Sequence, residues 1–153
     1  MGLGTSLYIF TFRTSVYSLQ MRVGGIFYNS DSREPAPDIK ANGSDETLSL
    51  SQGDSLTITV SLDAEAGKGQ NVDWWVCAYG EQSGWLSWVY TKGWVSGIAV
   101  CVQAPLSALS DLTVLEGTLS PDSYTFFFAV DDNADGNPDG RYIDSVKVNI
   151  AAP

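Results

Sequence analysis

At 153 residues with 44% apolar side chains, the chain is long enough for one domain, which buries roughly two-thirds of its unfolded surface, and global disorder is disfavoured. A formal net charge of −10 leaves no cationic stripe to neutralise phosphates, and it equally disfavours an anionic membrane surface. With no histidine, Ser-His-Asp and Cys-His catalysis and the usual zinc ligands are excluded, and a carboxylate-only hydrolase is the remaining enzymatic option.

Residues 1–28 read as an N-terminal β-strand extension. Its two β-like runs are Leu7 to Phe12 and Ser15 to Val23, with Arg13-Thr14 between them and Gly24-Gly25 breaking the pattern. Leu7, Tyr8, Ile9, Phe10 and Phe12 form a strand that needs a partner edge. That edge belongs either to the same sandwich or to a neighbouring copy. The second case is strand exchange, a route to a homopolymer. The opening Met1-Gly2-Leu3-Gly4-Thr5-Ser6 fits a myristoylation pattern that we treat as chance. No basic residues precede Leu7 and no clear small-residue cleavage site follows Phe12, so a secretory signal is not expected. No run approaches the ~18 to 20 apolar residues of a membrane span, so no insertion is expected. Residues 29–36, polar and proline-containing, read as a linker.

From 37 to 153 the chain reads as one β-sandwich domain. Asp38 to Ala41 leads into the turn dipeptide Asn42-Gly43, which with Ser44 also spells a glycosylation sequon. Thr47 to Leu50 is short. Ser55 to Asp63 alternates strictly, with Leu56, Ile58, Val60 and Leu62 on one face and Ser55, Thr57, Thr59 and Ser61 on the other. Val72 to Tyr79, Trp85 to Thr91 and a Trp94 to Val102 run broken at Gly97 follow. Pro105 to Leu115 is expected to be irregular, with one short helical turn and one strand. No segment offers a capped helix of normal length. All-β is the expectation.

Leu119-Ser120-Pro121-Asp122-Ser123-Tyr124 enters the aromatic run Tyr124 to Val130, which suits a tyrosine corner. Asp144 to Ile150 then alternates, with Val146, Val148 and Ile150 on the core side. With Asp73-Trp74-Trp75, the Trp85, Trp88 and Trp94 group and Pro105-Leu106, this hairpin resembles the fibronectin-III and immunoglobulin-like β-sandwich modules of secreted and surface bacterial proteins. The likeness covers about residues 37 to 150. It implies a two-layer antiparallel Greek-key sandwich, an extracellular or cell-surface location, and an accessory role without defined catalysis. The Cys-Trp-Cys order of true immunoglobulin domains is absent, because Trp74 and Trp75 precede both cysteines.

Three groups of residues carry candidate chemistry. Asp131, Asn133, Asp135, Gly136 and Asp139 occupy positions 1, 3, 5, 6 and 9 of a calcium loop. Asn137 supplies a carbonyl, and Asp144, or in second place Asp132, replaces the carboxylate missing at position twelve, where Tyr142 stands. Flanking strands exclude an EF-hand; structural Ca2+ is the expected cofactor, weighed against a merely polar hairpin loop. Trp75, Trp85, Trp88 and Trp94 either fill the sandwich or present platforms to a surface glycan. Cys77 and Cys101 either form a disulfide, worth about 3.5 kcal/mol by loop-closure entropy, or stay as buried thiols. Asp63, Glu65, Asp73, Glu81 and Glu116 are scattered and form no catalytic pair, so a non-catalytic structural or adhesive module is expected.

Overall fold

The computed structural model describes residues 11–13, 16–23, 26–30, 34–64 and 68–153. Within them every regular element is a strand and none is a helix. β1 (Thr11–Arg13), β2 (Val16–Val23) and β3 (Ile26–Ser30) form a three-stranded antiparallel sheet, with Phe12 opposite Tyr17 and Val23 opposite Ile26. The Gly24-Gly25 break therefore separates two paired strands. Asn29 and Ser30, read as linker, belong to β3, and Ala36 already belongs to β4. Leu7, Tyr8, Ile9 and Phe10 lie outside the described residues.

The remaining strands make two packed sheets. β4 (Ala36–Ala41), β6 (Leu56–Asp63) and β11 (Leu109–Gly117) form the smaller, in the order β11-β6-β4. The larger runs β5-β13-β12-β7-β8-β9. It comprises β5 (Leu48–Ser51), β7 (Asn71–Gly80), β8 (Gly84–Val89), β9 (Gly93–Ser96), β12 (Asp122–Val130) and β13 (Tyr142–Ala151). β10 (Val102–Pro105) takes the first half of β7's free edge, opposite Val72 and Trp74, and β8 takes the second, from Cys77 to Gly80. All pairings are antiparallel except β5 with β13, where Leu48 to Ser51 run beside Val148 to Ala151 in the same direction.

The alternation read in β6 is the packing that forms. Leu56, Ile58, Val60 and Leu62 are buried against Val76, Ala78, Phe126, Phe128, Val146 and Val148 of the facing sheet. Period-two burial of this kind is what a half-wet strand shows. β7 is buried from Val72 to Ala78 without interruption, on both faces, as expected of a strand at the middle of a sheet whose outer side is also covered. The cover is the 97–101 segment. Gly97 has φ 90° and ends β9, so the expected Trp94 to Val102 strand becomes two strands joined by a fold-back. Buried Ser87 pins that fold-back, its Oγ donating to Gly97 O at 2.8 Å and accepting from Ala99 N at 2.9 Å. No helical turn forms between Pro105 and Leu115; β11 occupies that region from Leu109.

Two local expectations are met in detail. The Asn42-Gly43 turn has φ 49° and 78°, the left-handed pair a two-residue hairpin turn requires. Asn42 Oδ1 accepts from Thr57 N and its Nδ2 donates to Ser55 O, so the sequon amide serves the neighbouring strand. At the same end of the sandwich, Tyr124 Oη donates to Ser120 O at 3.1 Å, closing the tyrosine corner.

Candidate metal centre

The acidic loop leaves β12 at Val130 and re-enters the sheet at Tyr142. Along β12 the side chains of Tyr124, Phe126, Phe128 and Val130 enter the main core. Alternation therefore sends Phe127, Ala129 and Asp131 to the outer face of the large sheet. On β7 the same rule puts Trp75 and Cys77 on that face, where both pack with Ala129 and Phe127, and Asp73 two residues earlier joins them. Trp75 stands opposite Ala129, and Trp74 opposite Val130. One step further along the ladder, Asp131 N donates to Asp73 O at 3.0 Å, which places the two aspartates across from each other.

Asp73 and Asp131 are only 0% and 1% exposed. Like charges directly opposite on one face of a strand pair are destabilising, and more so when both are taken out of water. Each carboxylate is half satisfied. Asp73 Oδ2 accepts from Gly136 N at 2.6 Å, and Asp131 Oδ2 accepts from Trp75 Nε1 at 2.7 Å. The other oxygen of each, Asp73 Oδ1 and Asp131 Oδ1, is buried with no partner. Asp73 further donates its N–H to Asn133 O at 2.7 Å, so this single residue of β7 is tied to positions 131, 133 and 136 of the loop. Sequence reading had left Asp73 among the scattered acids. The signal available was a charge inside the apolar run from Val72 to Ala78, where an ionised group needs a partner.

Burial is the main force raising the Asp131 carboxyl to about 6; the Trp75 N–H opposes it, and the neighbouring Asp139 adds to it. Asp139 itself is held below the usual carboxylate range. Desolvation acts against this, but the Arg141 backbone N–H and the neighbouring Asp131 and Asp132 groups outweigh it. The pair therefore retains a proton where two free aspartates would have lost theirs, and a cation entering the loop would take that proton's place. Asp135 and Asp139 each accept an N–H two residues onward, from Asn137 and Arg141, both at 2.8 Å, and both side chains are exposed. Asp132 pairs with Arg141 at 2.6 Å and also acts on Asp139 through its side chain and backbone. Among the described residues no three Asp, Glu or Cys side chains are already gathered as a closed cage. Of the acidic residues around the loop, Asp73 and Asp131 are the buried ones.

Asp144 has a different task from the one expected. It stands opposite Phe128 on the inner face of β13, away from Asp131 on the outer face, and its Oδ2 accepts from Ile39 N of β4 at 2.9 Å. It ties the two sheets together at their edge and leaves the candidate ligand set. The cysteines also differ from the bridged alternative: Cys77 and Cys101 are both buried free thiols. Cys77 belongs to the outer-face cluster and Cys101 to the main core. Burial raises both thiols, Cys101 to about 11, which keeps them protonated and unreactive.

The tryptophans divide as strand geometry requires. Trp74 is in the core against Phe128, whereas Trp75 is covered beneath the acidic loop. Trp88 and Trp94 pack on the core, and Trp94 Nε1 donates to Val114 O at 2.9 Å across the two sheets. Trp85 alone of the four candidates is exposed, at 39%, with its ring 5.2 Å from Tyr79 and 5.7 Å from Phe127. An apolar groove of about 190 Å³ runs from Trp85 past Phe127 and Ile98 to Pro138 of the acidic loop. Compared with known proteins, the chain matches no family model, no curated protein and no solved structure.

Proposed function

We propose that this chain is a non-catalytic, calcium-stabilised β-sandwich module that works outside a bacterial cell, secreted or on its surface, in a structural or adhesive role. The observation that carries the reading is the buried, half-satisfied carboxylate pair at the mouth of the acidic loop. A hard divalent cation with oxygen ligands satisfies both orphan oxygens and removes the repulsion between them. Asp131, Asp139, Asp135 and Asn133 supply the loop's share, and Asn137 its carbonyl. Loops of this exposed kind bind calcium with Kd of roughly 10⁻⁴ to 10⁻³ M, which suits surroundings where the ion is millimolar. The strand orders β11-β6-β4 and β5-β13-β12-β7-β8, with the tyrosine corner, support the Greek-key, immunoglobulin or fibronectin-III assignment within the sandwich class. The absence of histidine and the structural tasks of Asp122 and Asp144 support a non-catalytic role.

Thermal melts test the calcium reading. At about 5 mM calcium against chelator, binding of this strength raises the midpoint by about 3 to 8 °C. Identical melts would remove the ion from the reading.

A second reading, a carbohydrate-binding surface, has one specific observation in its favour: the exposed Tyr79 and Trp85 platform beside the apolar groove. Stacking of a sugar ring there predicts glycan-array binding that Trp85→Ala abolishes with the fold retained. Binding that survives the substitution, or no binding to any glycan, rules out this platform.

A further inference from the structure

We propose that Asp73 of β7 is itself a ligand of the ion, so that the metal joins β7 to the β12–β13 hairpin rather than stabilising a self-contained loop. This rests on the calcium reading above and adds to it a ligand 58 positions upstream of the first loop residue. Asp73 Oδ1 is fully buried, has no hydrogen-bond partner, and belongs to the residue directly across the ladder from Asp131, whose own Oδ1 is also buried and unpartnered. Its Oδ2 is held by Gly136 N, at the glycine where the loop reverses, which leaves Oδ1 as the free donor. Opposed residues on neighbouring strands have Cβ atoms about 4.5 to 5.5 Å apart, a span that one ion held by both carboxylates can bridge. The ligand class is a hard divalent cation, because every available donor is oxygen.

The alternative is a purely structural Asp73 that clips the loop through its hydrogen bonds. The two differ in sign when the ion is absent. A clip stabilises the protein at all calcium concentrations. A ligand facing another buried carboxylate stabilises it only when calcium is bound and destabilises it otherwise.

The experiment compares the full wild-type chain with Asp73→Asn and with Asp45→Asn, an exposed acid at the far end of the sandwich, using calcium chloride as the probe. Calcium affinity comes from calorimetry, and stability from melts with calcium and with chelator. The expected result for Asp73→Asn is an affinity loss of roughly tenfold or more with a chelator melt at or above wild type. Asp45→Asn, remote from the loop, should bind as wild type does. Wild-type affinity in Asp73→Asn, or a chelator melt well below wild type, overturns the ligand role and leaves the loop reading standing. A wild type indifferent to calcium overturns both. Hydrogen exchange on the wild-type chain needs no variant: calcium should slow exchange at the Asp73 amide as well as at Gly136, and slowing confined to the loop would overturn the join to β7.

Discussion

Phe126→Ala is expected to cost about 3 to 5 kcal/mol of folding stability, enough to leave a domain of ordinary stability marginal at room temperature. Phe126 is 1% exposed at the middle of β12, between Ala78 of β7 and Val146 of β13. Its ring lies 6.2 Å from Trp94, edge to face, and 6.1 Å from Tyr124. Trp94 in turn donates across to Val114 in the small sheet, so the residues around Phe126 are held from both layers and cannot collapse fully into the space a truncated side chain leaves. Urea unfolding followed by tryptophan fluorescence measures the loss. A change below about 1 kcal/mol, the range of volume-conserving swaps, would contradict the packing described for this layer.

The second large effect is at Asp122, where alanine is expected to cost about 2 to 4 kcal/mol. Its buried carboxylate accepts from Ser83 Oγ at 2.7 Å, Ser123 N at 2.8 Å, Ser83 N at 2.9 Å and Gln82 N at 3.1 Å. Three backbone donors lose their acceptor in the variant. The wild-type carboxylate also requires glycine at position 80, because a Cβ there would sit 2.5 Å from Asp122 Oδ2. The effect is pH-dependent. Desolvation alone would raise this carboxyl, but the donors from Ser83, Gln82 and Ser123 together hold it below its usual value. A depressed acid binds its proton more weakly folded than unfolded, so its stabilisation is complete above the unfolded value near 4 and fades as pH falls through the folded one. Wild type and Asp122→Ala should therefore differ most at neutral pH and converge in acid. A gap that stays constant to pH 2 would show that charge on Asp122 is not what holds the β7–β8 turn.

Local periodicity made much of the sandwich readable in advance. β6 alternates because one of its faces is wet; the β12–β13 hairpin and the tyrosine corner follow from residues close together in the chain. The candidate site was only half readable, for a physical reason. The loop supplies Asp131, Asn133, Asp135 and Asp139 at regular spacing, whereas Asp73 arrives through a strand pairing with no trace in local spacing. Asp144 was misassigned because the loop's spacing was carried past Tyr142 into a strand: only the register opposite Phe128 shows that it shares the inner face of β13. Gly97 was read as a flaw in one strand, yet it starts the fold-back that covers Trp75 and Cys77. The burial of Trp75 depended on that cover, and composition is silent about it.

The parallel pairing of β5 with β13 also bears on how the module carries tension. A pull on β5 toward the chain start and on β13 toward the chain end slides these adjacent strands lengthwise past each other. The rungs from Leu48–Val148 to Ser51–Ala151 then take the load together, in shear, where an antiparallel pair gripped at its open end would peel apart one rung at a time. Core residues Val148 and Ile150 lie on the strand that would have to slide, so the sandwich interior resists the same displacement.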